Sequence, residues 1–343
     1  MKALLLTDLE TFEWRDVDLP EAPADWVRVR MQHVGICGSD LHYYVEGRIG
    51  DQRCTFPHIL GHEGCGEVLE GAGHFEKGTP VYFEPAIACH QCDQCRAGRE
   101  NTCRRLTFFG NPNETPGCMR EEIALPPENV FTLPEVMSPE EGFLLEPLCI
   151  GVYAVQRSHM PKGGTAAVVG SGPIGLSVLL GLSDYEPAEV YVTDPVPERR
   201  QAAERLGATK ALDPSPVETG SAKEVYAAAG GGVDVAFECA ATEESIEDAI
   251  HMLKPGGTLA LVGIPESFDR MCFDHSHMRR NEITLVNIRR QNQAIEQALP
   301  LLERRRDFKD VMITHHFPIT EAKKAFELVR ERRDGVIKAV LDL

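Results

Sequence analysis

Four cysteines crowd into one short polar stretch of this 343-residue chain. They are Cys89, Cys92, Cys95 and Cys103, in the pattern Cys-x2-Cys-x2-Cys-x7-Cys. Such short spacings are awkward for disulfides, whereas they allow four thiolates to surround one tetrahedral ion, and Zn²⁺ suits four thiolates best. A four-thiolate site has no open coordination position. We therefore predict a structural zinc site here, with free or disulfide-bonded cysteines as the alternative.

A second group of potential metal ligands has a different composition. Cys37, His62 and Glu63 offer one sulfur, one nitrogen and one oxygen, which leaves a fourth position for water or substrate, as in catalytic zinc sites. Glu146 is a further candidate, because it lies in an apolar stretch where a buried carboxylate without a cation is costly. Each residue alone has an ordinary alternative, such as a core cysteine or a simple turn. Together they predict an open metal site.

A glycine-rich turn provides material for a nucleotide site. Gly170-Ser-Gly172-Pro-Ile-Gly175 follows a predicted strand and opens a predicted helix. The first glycine permits a tight turn, the second a close approach to a pyrophosphate, and the third close helix packing. The helix N-terminus attracts negative charge. The motif alone is weak evidence, because such turns also occur without ligands.

The residues after the next predicted strand strengthen this prediction. Asp194 ends that strand, 24 positions after Gly170, where its carboxylate can accept hydrogen bonds from both hydroxyls of an adenine ribose. A 2′-phosphate would face this negative charge, so the site favours NAD over NADP. Arg199 can reach the adenine or a phosphate, or it can be an ordinary surface arginine.

The elements that carry these residues change character near residue 143. The first third contains short alternating runs, such as residues 26–31 and 66–70, which indicate a small β-barrel-like domain. A strand–helix alternation then runs to about residue 290 and predicts a doubly wound parallel sheet. Its predicted strands are residues 166–170, 189–194, 233–238, 257–263 and 283–287, with a helix at 197–206 ended by Gly207, and a last strand follows at 335–341.

Composition excludes several classes of function. The net charge of −18 argues against partners such as nucleic acid or an anionic membrane surface. No run of about 18 apolar residues is present, so we expect no membrane span, and residues 1–10 are typical of a strand rather than a signal peptide. The 11 cysteines are odd in number and clustered, which favours reduced thiols and a cytoplasmic location.

These motifs, in this order, resemble the zinc-containing medium-chain dehydrogenases over essentially the whole chain. The segments that carry the resemblance are Cys37-Gly-Ser-Asp-Leu-His-Tyr43, Gly61-His-Glu-Gly64, the four-cysteine stretch, Leu145-Glu-Pro-Leu148 and the glycine turn. The chain is most similar to the sorbitol (polyol) dehydrogenase branch, because ordinary alcohol dehydrogenases have a second cysteine where this chain has Glu146. The resemblance implies an α/β protein with a GroES-like β-rich catalytic domain, residues 1–143 and 291–343, and a Rossmann domain, residues 144–290.

The resemblance also implies roles for individual residues. Cys37, His62 and Glu63 would bind the catalytic zinc together with water, and Glu146 would hold that water or exchange with it as a ligand. The remaining implied residues are Tyr43, Glu146 and Arg289 for the substrate, Ser39 and His42 for the proton relay, and Gly170, Gly172, Pro173, Ile174, Gly175, Asp194, Arg199, Val262, Gly263 and Ile264 for NAD. The alternative for His42 is a surface histidine without a role.

The implied activity is transfer of a hydride from a secondary hydroxyl of a polyol, such as sorbitol, xylitol or iditol, to NAD, giving a ketose. Two zinc ions per chain and a homotetramer, or alternatively a dimer, are expected. An L-threonine or 2,3-butanediol dehydrogenase of the same fold is the alternative, and for threonine Arg289 and Arg290 can bind the carboxylate. Arg290 replaces a tyrosine of the familiar sorbitol enzymes, so the identity of the polyol stays open. A non-catalytic binding protein is a remote alternative.

Overall fold

A computed structural model of the chain describes residues 1–19, 21–215, 220–265 and 270–343. Contacts divide the chain into two compact units. The first comprises Met1–Glu146 with Met312–Leu343, and the second is Pro147–Val311. In the described ranges, no helix is long and apolar enough to cross a membrane.

Strands occur in both units of the chain. The strands are β1 (Lys2–Asp8), β2 (Thr11–Asp16), β3 (Val27–Gly35), β4 (Arg48–Ile49), β5 (Gln52–Arg53), β6 (Glu63–Val68), β7 (Pro80–Phe83), β8 (Ala86–Ile87), β9 (Thr107–Phe108), β10 (Glu122–Leu125), β11 (Val130–Thr132), β12 (Thr165–Val169), β13 (Glu189–Thr193), β14 (Lys210–Leu212), β15 (Val233–Glu238), β16 (Leu253–Leu261), β17 (Thr284–Asn287), β18 (Ile313–Pro318) and β19 (Lys338–Asp342).

Helices connect many of these strands. They are α1 (Gly38–Glu46), α2 (Asp93–Arg96), α3 (Leu145–Ser158), α4 (Pro173–Leu182), α5 (Pro197–Leu206), α6 (Ser221–Ala228), α7 (Glu243–Met252), α8 (His275–Arg280), α9 (Ile295–Arg304), α10 (Asp307–Met312) and α11 (Ala322–Glu331). Short 3₁₀ turns lie at Glu100–Thr102, Pro127–Asn129, Pro139–Leu144, Ser183–Tyr185 and Ile319–Glu321.

The first unit is built around a seven-stranded sheet in the order β11-β7-β6-β3-β19-β18, with β10 also paired to β3. Strand β3 shows how the sequence produces it. Val27, Val29 and Met31 are buried, whereas the alternate residues Arg28 and Arg30 form ion pairs with acidic residues of the neighbouring strands β10 and β6. This period of two is that of a strand with one face in the core. β3 lies between β6 and β19, so residues from three distant chain segments meet beside it.

The second unit contains a six-stranded parallel sheet in the order β14-β13-β12-β15-β16-β17. Its central strands are almost continuously apolar, as expected for strands with both faces covered. Helices α4 and α5 each begin with a proline, which suits the first helical position. Helix α5 ends at Gly207, whose φ of 110° is the left-handed conformation that favours glycine. The predicted doubly wound parallel sheet and β-rich catalytic domain are confirmed.

Two details differ from the sequence prediction. The three-residue strand β14 extends the parallel sheet and was not predicted, because so short a run has no clear periodicity. Residues 291–311 belong to the second unit, not to the catalytic domain, and residues 144–146 belong to the first. The reason is packing. On helix α9, Leu301 and Leu302 are buried, Gln297 bonds to Gln156, and Arg304 pairs with Asp184.

Candidate active site

The first candidate ligand, Cys37, lies where strand β3 leads into helix α1. It is the N-cap of α1, and its backbone N–H donates to the Asp40 carboxylate over 3.0 Å. The other oxygen of Asp40 accepts the backbone N–H of Gly61 over 3.1 Å. Because Asp40 is 1% exposed, both bonds are shielded from water. Asp40 therefore ties the loop that carries Cys37 to the loop that leads into His62.

His62 and Glu63 lie close to Cys37. Glu63 begins strand β6 and pairs with Gly35 of strand β3. Cys37, His62 and Glu63 each offer one ligand atom, and these three atoms all lie within 4.8 Å of one another. Both His62 and Glu63 are buried. A sulfur, a nitrogen and an oxygen thus converge closely enough for one zinc ion to contact all three.

Burial disfavours the charged forms of these side chains. The pKa of the Cys37 thiol is raised to about 12, mainly by burial and secondly by the negative charge of Glu63. Burial also raises the pKa of Glu146 well above its usual range. The charge of His62 opposes this rise, and those of Glu63 and Cys37 add to it. These interactions indicate that Glu146 lies beside the cluster. A divalent cation stabilises thiolate and carboxylate together, so the donor set fits zinc.

Two buried charged residues of the site, Asp40 and Lys338, have no assigned role in the sequence analysis. Asp40 lies 3.7 Å from Nδ1 of His62, too far for a hydrogen bond, so its direct contacts are the two backbone N–H groups. Its position three residues after Cys37 is a capping position that the sequence displays. Lys338 bonds to Glu63 across a separation of 275 residues, and no local pattern indicates such a contact.

The predicted proton-relay and substrate residues of the first unit share helix α1. The side chain of Ser39 hydrogen-bonds with Cys37, which partly opposes the rise in the pKa of that thiol caused by burial. Ser39 and His42 are both half-buried, three positions apart. Tyr43 is 2% exposed, and its hydroxyl donates to Gln52 Oε1 over 3.4 Å. Helix α1 therefore carries the relay candidates and one substrate candidate close to Cys37.

The four-cysteine stretch forms a separate cluster. One sulfur from each of the four lies within 4.8 Å of the others. The measured Sγ–Sγ distances are 3.5 Å for Cys92–Cys95, 3.9 Å for Cys92–Cys103 and 4.0 Å for Cys89–Cys95. Tetrahedral zinc with Zn–S bonds of about 2.3 Å places its sulfurs about 3.8 Å apart. None of the four is in a disulfide, and the spacing fits one zinc ion.

The glycine turn has the geometry that a dinucleotide requires. Gly170 has a φ of 90°, and Gly172 is the N-cap of helix α4, which begins with Pro173 and Ile174. A side chain at Gly175 would overlap the carbonyl oxygen of Gly170. The turn can therefore be this tight only with glycine at both positions.

Asp194 closes this turn from the end of strand β13. It is 3% exposed, and its carboxylate oxygens accept backbone N–H groups from Ser171 over 2.8 Å and from Val196 over 2.9 Å. The Arg199 guanidinium lies next to the turn, since Nη1 would be 3.5 Å from a Cβ at Gly172. Asp194 and Arg199 thus both lie at the glycine turn.

The other predicted cofactor residues depend on a residue that the sequence analysis missed. The backbone N–H groups of Val262 and Gly263 both donate to the carbonyl oxygen of Glu238, over 2.9 Å each. The Glu238 side chain is 1% exposed and accepts bonds from Ser245 and from two backbone N–H groups through Oε1. Ile264 is 55% exposed. The substrate candidate Arg289 is exposed in the loop after strand β17.

Comparison with known proteins agrees with both units. Residues 23–135 match the family described as "Alcohol dehydrogenase GroES-like domain", and residues 173–304 match "Zinc-binding dehydrogenase". The sorbitol dehydrogenase of Bacillus subtilis (strain 168) is 30% identical, covering 99% of this chain and 97% of that protein. The sorbitol dehydrogenase of Arabidopsis thaliana is 32% identical, with coverage of 99% and 95%.

A solved structure is similar over the same length. The crystal structure of 2R,3R-butanediol dehydrogenase from Bacillus subtilis superimposes with a TM-score of 0.88 at 29% identity. The match covers 100% of this chain and 99% of that one. Fold, clustered metal ligands and sequence similarity therefore agree. The chain belongs to the zinc-dependent medium-chain dehydrogenases, in the branch that resembles sorbitol dehydrogenase.

Proposed function

We propose that this protein is a zinc- and NAD-dependent polyol dehydrogenase that oxidises a secondary hydroxyl to a ketone. The observation that carries the proposal is the cluster of the half-buried Cys37 with the buried His62 and Glu63, and with the Glu146 carboxyl beside it. Three of these side chains would hold the zinc ion. The relatives named sorbitol dehydrogenases support a polyol as the substrate.

Each residue of the cluster has a chemical task in this proposal. Bound zinc supplies Lewis acidity, which makes an alcohol hydroxyl easier to deprotonate. Glu146, as a buried carboxyl, can accept a hydrogen bond from a second hydroxyl of a polyol or from water. Ser39 and His42 both donate and accept hydrogen bonds, so they can pass the released proton away along helix α1. Tyr43 and Arg289 would orient the substrate.

The cofactor assignment rests on the second unit. The turn of Gly170, Gly172 and Gly175 would receive the pyrophosphate at the N-terminus of helix α4, with Pro173 and Ile174 at its first positions. Asp194 would accept the ribose hydroxyls, and its charge disfavours the 2′-phosphate of NADP. Arg199 lies next to the same turn, where it can contact the adenine or a phosphate. Val262, Gly263 and Ile264 would line the nicotinamide end.

Two further proposals concern the setting of the enzyme. None of the eleven cysteines is in a disulfide, which supports a reducing compartment such as the cytoplasm. We also infer a homotetramer, or a dimer, and light scattering on the purified protein measures this directly.

A substrate panel tests the proposed activity. NADH formation is followed at alkaline pH with sorbitol, xylitol, galactitol, L-threonine and 2,3-butanediol, before and after treatment with a chelator. We expect at least one polyol to have the highest kcat/KM, and the rate to fall when metal is removed. Faster turnover of 2,3-butanediol, whose dehydrogenase has the similar structure described above, or of threonine would favour the alternative substrate. No turnover of any secondary alcohol would contradict the enzyme assignment.

A further inference from the structure

The ligand Glu63 has a buried partner on the last strand of the chain. Lys338, in strand β19, is 2% exposed, and Glu63 is 1% exposed. Nζ of Lys338 donates to Oε1 of Glu63 over 2.8 Å and to Oε2 over 2.6 Å. It also donates to the carbonyl oxygen of Ile36 over 3.1 Å. An ammonium group has three N–H donors, so this set of partners fixes its position.

The sheet topology explains why these two residues meet. Gly35 of strand β3 pairs with Glu63 of strand β6 on one side and with Val340 of strand β19 on the other. A Cβ at Gly35 would overlap Oε2 of Glu63 and lie 2.9 Å from Phe143. The missing side chain of Gly35 thus leaves space for the carboxylate, and the lysine reaches it from strand β19 on the other side of β3.

The lysine leaves Glu63 able to bind a metal. A carboxylate offers about four lone-pair directions, and Lys338 uses one on each oxygen. A Glu63 oxygen still lies within 4.8 Å of ligand atoms of Cys37 and His62. Without a cation, a buried carboxylate would turn away or become neutral. With Lys338 it has a fixed orientation and a balancing charge.

We propose that Lys338 is a positioning residue for the metal site, holding the Glu63 carboxylate in the orientation in which it binds the ion with Cys37 and His62. The inference rests on the metal-binding role proposed for these three residues. Outer partners that orient ligands typically change metal affinity by about 10- to 100-fold when removed. We therefore expect Lys338 to govern how firmly this one ion is held, and to leave the four-cysteine ion unaffected.

Cobalt provides a direct test, because Co²⁺ takes the place of zinc and its visible absorption depends on the ligands. Wild type, Lys338→Met and the control Lys254→Met are loaded with Co²⁺. Lys254 forms an ion pair with Asp234 in the second unit, so the control removes a paired lysine elsewhere. We expect altered bands in Lys338→Met, with one cobalt released to a chelator about tenfold faster or more. Wild type and Lys254→Met should match each other.

The outcomes separate positioning from a role in folding alone. A folded Lys338→Met protein with wild-type bands and wild-type release would overturn the proposal, even if it unfolds more easily. If Lys338→Met does not fold, the same comparison is made on Lys338→Gln, whose amide keeps two donors without the charge. A wild-type chain that takes up only one cobalt would overturn the metal site and this inference with it. Absence of polyol turnover with the predicted cobalt result would contradict only the substrate assignment.

Discussion

Glu146 is the residue on which the substrate assignment depends most. Its position in an apolar stretch indicated a buried carboxylate, and in the structure it is 7% exposed. The same reasoning identified Cys37, His62 and Glu63, because metal ligands are recognisable by residue type. Lys338 could not be found in this way. It begins strand β19, whose next three residues are apolar, and its importance comes only from the pairing of β19 with β3.

Replacement of Glu146 tests its role. We expect Glu146→Gln to lower kcat/KM for the best polyol by about 100-fold, equivalent to about 2.7 kcal/mol of transition-state stabilisation, because the neutral amide is a weaker acceptor and ligand than the carboxylate. Metal content should stay at the wild-type level. Glu135→Gln, at an exposed position, is the matched control. Steady-state kinetics with metal analysis make the measurement, and an unchanged kcat/KM would contradict the role.

Glu238 allows a prediction about pH. Burial raises the pKa of its carboxyl above the ordinary 4.5, although hydrogen bonds from Ser245 and two backbone N–H groups oppose the rise. As pH rises from the ordinary value through the raised one, the folded protein keeps a proton that the unfolded chain has lost. Stability contributed by this group therefore falls with rising pH in that window.

Glu238→Gln removes this titration and can still accept through its amide oxygen. We compare the free energy of unfolding of the wild type with that of Glu238→Gln. The wild type should be more stable, relative to the variant, at acidic pH than at neutral pH. The change is about 1.4 kcal/mol for each unit by which the pKa is raised. Urea denaturation of both proteins at the two pH values measures it. A difference that does not vary with pH would show that Glu238 is not the titrating group.

At the scale of elements, local sequence patterns predicted the strands of the parallel sheet, whereas they could not predict which distant strands pair with one another. The strands β12, β13, β15, β16 and β17 were recognisable from apolar runs, because a parallel strand is buried on both faces. The order of the seven-stranded sheet depends on contacts between distant segments, such as β3 with β19. The predicted boundary at residue 290 differs from the end of the second compact unit at Val311, since helix α9 is amphipathic and its sequence does not say which unit it packs against.

The proposed preference for NAD depends on Asp194, which lies between the end of strand β13 and the glycine turn. Asp194→Ala should lower the ratio of kcat/KM for NAD to that for NADP, because the negative charge that opposes a 2′-phosphate is gone. The same change leaves the backbone N–H groups of Ser171 and Val196 without this acceptor. Each unsatisfied buried group costs about 1–3 kcal/mol of stability.

Asp194→Asn separates the two effects. The asparagine keeps one side-chain acceptor but has no charge, so it should relax the cofactor preference with a smaller loss of stability. Kinetics with both cofactors and thermal unfolding of both variants provide the comparison. An unchanged NAD-to-NADP ratio in both would show that the ribose assignment of Asp194 is wrong.

At the scale of the whole molecule, the chain contains two candidate metal clusters of different kinds and a parallel sheet with a candidate dinucleotide turn. The four-cysteine cluster has four sulfur ligands and no place for substrate, so it should hold its ion firmly and contribute to folding. The cluster of Cys37, His62 and Glu63 offers three ligand atoms and, in the proposed function, leaves one position open for water or substrate. The central claim is that only the second ion takes part in the reaction.

The most direct test is the rate of NADH formation from the best polyol as zinc is removed and restored. We expect activity to disappear as a chelator removes the first zinc equivalent per chain, while the second equivalent and the folded structure remain. Activity should return when one equivalent of zinc is added back. Full turnover by a chain that has lost this zinc would contradict the account.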